Sequence, residues 1–159
     1  NNQHASGLSS FFHLLPAVCP VEVFNEKVSF RPVDMTSIPF DLYGQFDFAW
    51  SACAFEHLGS LSAGLDFLLK SSRCLKKGGI AVHTTEFITT SNDWTVSSGG
   101  SVYYRKQDLF SIPRLLGPSF EVSPFSFAPR ITRSDGHYGI ERDGHFMTSI
   151  GVVIRRIRC

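Results

Sequence analysis

Apolar and polar positions change period several times along the chain, and each change marks an element. Leu8, Phe11, Phe12 and Leu15 fall at helical spacing before Pro16, which predicts a helix within residues 1–20. Val28 to Val33 alternates and predicts a strand, at an edge or a strand end because Pro32 has no N–H to give a ladder. Phe46-Asp47-Phe48-Ala49-Trp50 predicts a second strand. Leu61, Leu65, Leu68, Leu69 and Leu75 then return to the helical period, with Lys70, Ser71 and Arg73 on the outer face. Ser60 stands at the cap position, so this helix is expected from about Leu61 to Cys74. Gly78-Gly79 is expected to close it, since glycine enters a left-handed cap at little cost. Ile80 to Thr84 predicts a third strand, and a strand–helix–strand unit of this length predicts a right-handed parallel crossover.

Thr89 to Gly100 is rich in Ser, Thr and Gly and reads as a loop, either a passive surface segment or a lid around Trp94. Tyr103 to Leu116 predicts a short helix around Asp108, interrupted near Pro113. Phe120 to Phe127 and Thr148 to Ile154 predict two closing strands, an antiparallel hairpin on a parallel sheet. Between them, Asp135-Gly136-His137 is echoed by Asp143-Gly144-His145, and both read as turns rather than metal sites.

Composition narrows the function classes. The 159 residues are 43% apolar and suit one domain. A net charge of +1 gives no bulk attraction for nucleic acid or an anionic membrane. The Arg155, Arg156 and Arg158 cluster reads as a solvated strand end. Fifteen Phe suggest a thick core or an apolar surface waiting for cover. Cys19, Cys53, Cys74 and Cys159 lack zinc-type spacing, so free thiols, a reducing cytoplasmic location and no metal are expected. No segment reaches the ~18 apolar residues of a membrane span. Asn1-Asn2-Gln3-His4 has no initiator Met and no signal-peptide core, and truncation is the expected origin of this start.

Ligands of open α/β sheets bind outside the carboxyl ends of the strands. Three such ends carry polar groups here: Asp34, then Ser51 with Glu56 and His57, then His83 with Glu86. Each has a simpler alternative. Asp34 suits a turn cap, Glu56 and His57 a surface pair, and His83 a satisfied core histidine.

The order VDM, FDFAWSACAFEHLGS, LKKGG and IAVHTTEF resembles the second half of the class I S-adenosylmethionine-dependent methyltransferases. The resemblance implies an α/β, Rossmann-like sheet, mostly parallel with an antiparallel carboxyl-terminal hairpin, in the order 3-2-1-4-5-7-6. Residues 1–27 would be helix and linker, and residues 28–159 strands three to seven of that order. It implies S-adenosylmethionine as cofactor, with Asp34 and Met35 at the adenine. Asp47, Glu56 and His57 would match the family's early strand Asp and its Glu-His pair near the methionine end and the substrate, and Ser51 is a further cofactor-binding candidate. His57 is then the first candidate base and His83 the second, with Glu86 or Glu56 orienting an imidazole.

The family's first strand, its Gly-rich loop and the acidic residue after its second strand have no counterpart in the sequence. The resemblance therefore implies an amino-terminally truncated domain with an uncovered apolar edge, binding cofactor weakly or not at all by itself. The expected acceptor is a small molecule or glycan. Two other classes remain: an interaction module completed by a partner or a second copy, and a metal-dependent hydrolase using His57, His83, Glu86 and His137 or His145.

Overall fold

The computed structural model describes residues 19–127 and 140–158. The chain divides into two compact units at Pro32/Val33. The first holds helix α1 (Val21–Lys27), which ends as the Val28 backbone N–H donates to the Phe24 carbonyl. The helix expected within residues 1–20 falls mainly on residues 1–18, outside the described residues.

The second unit is a mixed sheet. Its strands are β1 (Phe46–Ala52), β2 (Leu75–Ile88), β3 (Phe120–Val122), β4 (Ile140–Arg142) and β5 (His145–Arg156), and its helices are α2 (Leu61–Arg73) and α3 (Lys106–Leu116). The order is β1-β2-β5-β3, with β4 also paired to β5. β1 and β2 run parallel through the α2 crossover, as the sequence predicts. The three ladders of β5, with β2, β3 and β4, are antiparallel.

The expectation of a mostly parallel sheet is thus corrected: among the described residues only β1–β2 is parallel. The connection from β2 to β3 through α3 is also a crossover, but β5 lies between those two strands, so their shared direction makes no parallel ladder. The strand expected at Val28 to Val33 does not form. Alternation alone cannot make a ladder without a partner strand, and Pro32 withholds a donor.

α2 starts where Ser60 Oγ accepts the Ala63 N–H at 3.1 Å. Its buried side is Gly64, Phe67, Leu68, Ser71 and Ser72, with Leu61, Leu65 and Leu69 only partly covered. Two serines reach that side by returning their hydroxyls to the Leu68 carbonyl, which satisfies them locally.

Gly78-Gly79 does not close α2. The helix is already capped at Cys74, and the glycines lie inside β2. There β1 advances from Phe46 to Phe48 while β2 advances from Leu75 to Ile80, a bulge. Gly78 takes φ +85, and a Cβ on Gly79 would press within 3.1 Å of the Phe46 and Asp47 carbonyls. Glycine serves the strand irregularity here rather than the cap.

Pro113 lies within a continuous α3, not at a break. β3 is shorter than the strand expected at Phe120 to Phe127, whereas β5 is longer than expected and forms a hairpin with β4. Asp143 and Gly144, both at positive φ, make its two-residue turn. Asp135-Gly136-His137 lies outside the described residues.

One sheet face carries the main core. Ala81, His83, Thr85 and Phe87 of β2 pair with Ile154, Val152, Ile150 and Thr148 of β5, and pack with Phe67, Leu68, Leu109 and Ile112 from the helices. A second cluster, Ile88, Tyr103 and Met147, packs with Trp94 and Val96.

Candidate functional site at the strand tips

Parallel pairing puts the carboxyl ends of β1 and β2 side by side, and Ser51 pairs with His83 across them. Beyond β1 the chain turns sharply at Cys53, a non-glycine residue at φ 43 whose N–H donates to the Thr84 carbonyl. A 3-10 turn, Phe55–His57, then feeds α2. The backbone thereby delivers Glu56 inward and His57 outward within two successive positions.

The outward imidazole is held by the loop before α3. His57 Nδ1 lies 2.8 Å from the Gly100 carbonyl and 2.9 Å from Ser101 Oγ. A carbonyl can only accept, so Nδ1 carries a proton, and in the neutral ring the lone pair is on Nε2. Glu86 lies close enough for the two side chains to interact electrostatically. Burial and then the negative charge of Glu56 raise the Glu86 carboxyl above its ordinary range, while His57 acts in the opposite direction.

Glu56 is fully buried, and Thr85 Oγ1 donates to its Oε2 at 3.1 Å. Glu56 Oε1, Glu86 Oε2 and the Tyr104 hydroxyl are buried without hydrogen-bond partners. Burial chiefly, with the charges of Glu56 and Asp108, pushes the Tyr104 phenol up. Buried acceptors without partners favour a cationic neighbour.

His83 has a different setting. It is buried, its Nδ1 is 2.8 Å from Ser51 Oγ, and its ring stands edge-on to Phe55 and Phe67. Burial pulls its pKa down to about 4, so it is neutral near pH 7. Asp34 is exposed and closes a turn, its Oδ1 accepting from both the N–H and the hydroxyl of Thr36. Those bonds hold its carboxyl below the ordinary range. Met35 packs on the main core and lines an apolar groove of about 360 Å³ beside β1.

The structure pairs Ser51 with His83 and sets Glu56 and His57 within electrostatic reach of Glu86, while Asp34 is engaged by Thr36 and Met35 lines the groove beside β1. Sequence reasoning did not find Cys53, Thr84, Ser149 or Tyr104. Cys53 Sγ lies 3.6 Å from Thr84 Oγ1 and 3.7 Å from Ser149 Oγ, on the sheet face opposite His83. Strand alternation would have placed Thr84 and Glu86 on that face, but Ser149 is revealed only by the β2–β5 register. A larger cavity, about 580 Å³ and lined by Phe40, Arg73, Phe120 and Arg156, lies at the amino ends of β1 and β2, far along the sheet from this chemistry. Among the described residues, no three His, Cys, Asp or Glu side chains converge as a metal site, and no helix is long and apolar enough to cross a membrane.

Residues 17–83 match the methyltransferase domain family. Among solved structures, the [4+2]-cyclase SpnF superposes with a TM-score of 0.58 at 18% identity, over 87% of this chain and 60% of that one. The chain carries the class I methyltransferase fold. Two further structures with this fold are similar to it. An S-adenosylmethionine-dependent methyltransferase from Methanosarcina mazei has a TM-score of 0.54 at 13% identity, covering 83% of this chain and 68% of that one. A Bacillus halodurans C-125 protein assigned as a methyltransferase has a TM-score of 0.53 at 13% identity, covering 90% and 78%. No curated protein matches the sequence. Within the methyltransferase fold, β1, α2 and β2 form the crossover that carries the candidate site.

Proposed function

We propose that the domain transfers a methyl group from S-adenosylmethionine to an oxygen or nitrogen acceptor, with His57 as the general base. The observation that carries this reading is the His57 tautomer. With Nδ1 donating to the Gly100 carbonyl, Nε2 is left as a proton acceptor at the exposed strand tips. A histidine of this kind suits proton removal near neutral pH.

The unpaired acidic oxygens behind the strand tips suit the cofactor's positive groups. Glu56 Oε1 and Glu86 Oε2 lack partners, and carboxylates suit a sulfonium or an α-ammonium. When bound, the cofactor supplies an electrophilic methyl carbon. The remaining work falls to the chain: Glu86 stands within electrostatic reach of His57, and the loop carbonyl at Gly100 fixes the imidazole ring. Asp34 and Met35 would contact the adenosine only if the Asp34 turn opened, because its carboxylate is held by Thr36. The cofactor grip of this polypeptide by itself is therefore weak.

Two measurements test the proposal. Isothermal titration with S-adenosylmethionine should show weak or no binding, and micromolar affinity would overturn that part. Transfer of labelled methyl groups, at saturating cofactor, to panels of alcohols, amines and glycans should yield a methylated acceptor. Undiminished transfer by His57→Gln would remove the base assignment.

A further inference from the structure

At the end of the sheet opposite the strand tips, the entry to β1 is strapped to the end of α2. A 3-10 turn, Phe40–Leu42, leads to Gly44, whose φ of +67 redirects the chain. The Gly44 N–H donates to the Arg73 carbonyl at 2.9 Å, and the Gln45 and Phe46 N–H groups donate to the Cys74 carbonyl. Arg156 closes the same corner from β5. Its Nη1 donates to the Arg73 and Leu75 carbonyls at 3.1 and 2.6 Å, and its Nε donates to the Arg158 carbonyl. The cavity of about 580 Å³ lies within this frame, with Leu69, Leu116 and Phe120 among its apolar walls. All of its walls come from segments of this chain: the turn before β1, α2, the α3–β3 junction and β5.

Two guanidinium groups border the cavity, and among the described residues no carboxylate lines it. Arg73 is exposed, and its side chain makes no hydrogen bond or ion pair among the described residues. The other donors of Arg156 are answered by neutral carbonyls, which leaves its charge without a counter-ion and its Nη2 without a partner among the described residues. Glu121 is turned to the opposite face of β3: it pairs with Arg155, whereas Phe120 pairs with Arg156. The aromatic side is equally unfilled. Phe40 is 82% exposed, its ring edge-on to Tyr43 with 5.3 Å between centroids.

We propose that this cavity binds a small aromatic anion, a ring bearing a carboxylate or a phosphate, at a site separate from the strand tips. The oxyanion accepts hydrogen bonds from Arg73 and from Arg156 Nη2, since a guanidinium fork matches either group. The ring packs against Phe40 and Tyr43. The volume falls within the range of small-molecule sites, about 300–1,000 Å³. The carbonyls that end α2 are already occupied by backbone N–H groups and Arg156, so they do not set a competing negative charge against the ligand. This inference is independent of the methyl-transfer reading.

Isothermal titration of the intact chain with benzoate and with phenyl phosphate should show saturable binding of at least one, and the tighter of the two names the oxyanion. Benzyl alcohol and inorganic phosphate each lack half of that chemistry, and should bind at least ~10-fold more weakly. Arg73→Gln should lower the affinity about 10- to 100-fold, and Phe40→Ala about 2- to 10-fold. Both side chains are exposed, and the strap to β1 uses only the Arg73 carbonyl, so neither variant should shift the melting temperature. No saturable binding of either anion would overturn the proposal. So would binding that either variant leaves unchanged, or equal affinity for benzyl alcohol or inorganic phosphate.

Discussion

His57 and His83 occupy the same end of the sheet, yet their surroundings give them opposite characters. His57 sits on a turn, exposed, with one nitrogen fixed by a carbonyl and the other open. His83 sits in a strand, between two phenylalanine rings and a serine hydroxyl, and stays neutral far below the usual pH. The difference shows that closeness to a strand tip does not define chemistry. The face on which the residue emerges, and what closes over it, decides whether an imidazole can exchange protons with a ligand.

Substitution should break the pair apart most clearly. His57→Ala should lower methyl transfer by about 10²–10⁴-fold while shifting the melting temperature little. His83→Ala should cost about 2–4 kcal/mol of stability, because it leaves a cavity and strands the Ser51 hydroxyl. Denaturant titration and turnover on the same samples separate the two, and equal effects on both measures would dissolve the distinction.

Acid sharpens the comparison. The folded His83 pKa, about 4, lies below its ordinary 6.5, so the unfolded chain binds the extra proton between those values. Stability should therefore fall as pH drops from about 6.5 to 4, by up to ~3 kcal/mol for a fully buried ring. Glu86 has the reverse sign. Its raised pKa makes the folded state hold a proton just above the ordinary carboxylate range, which offsets part of the loss there. Thermal melts across pH should show a slope that His83→Gln flattens; an unchanged slope would assign it to other groups.

Gly64 tests the core side. A Cβ there would collide with the Tyr104 hydroxyl and approach the Phe55 carbonyl to 2.8 Å. Gly64→Ala should thus destabilise by about 1–3 kcal/mol, despite the usual helix gain for alanine. Ser60→Ala, which removes the α2 cap between the two regions, should cost about 1 kcal/mol. A melt showing no loss for either would mean that α2 is anchored by other contacts.

Much of this arrangement is legible in the sequence because it rests on local pattern. The β1–α2–β2 crossover follows from alternation, helical spacing and a capping serine. The Asp143-Gly144 turn follows from residue types that accept positive φ. What the sequence hides is non-local. Gly78-Gly79 signals positive φ but not whether a helix cap or a strand bulge uses it. Val28 to Val33 alternates like a strand, yet a ladder requires a partner. Alternation already sets Glu86 and His83 on opposite faces of β2, but only the β2–β5 register brings Ser149 to Cys53 from across the chain.

The Trp94 indole lies flat on the His145 ring, 4.3 Å between centroids, while Thr90 Oγ1 is 3.2 Å from His145 Nδ1. Imidazolium quenches indole emission on contact more strongly than neutral imidazole does. The Thr89 to Gly100 loop therefore carries its own optical gauge: any event that lifts it from β5 would brighten Trp94, with no dye attached.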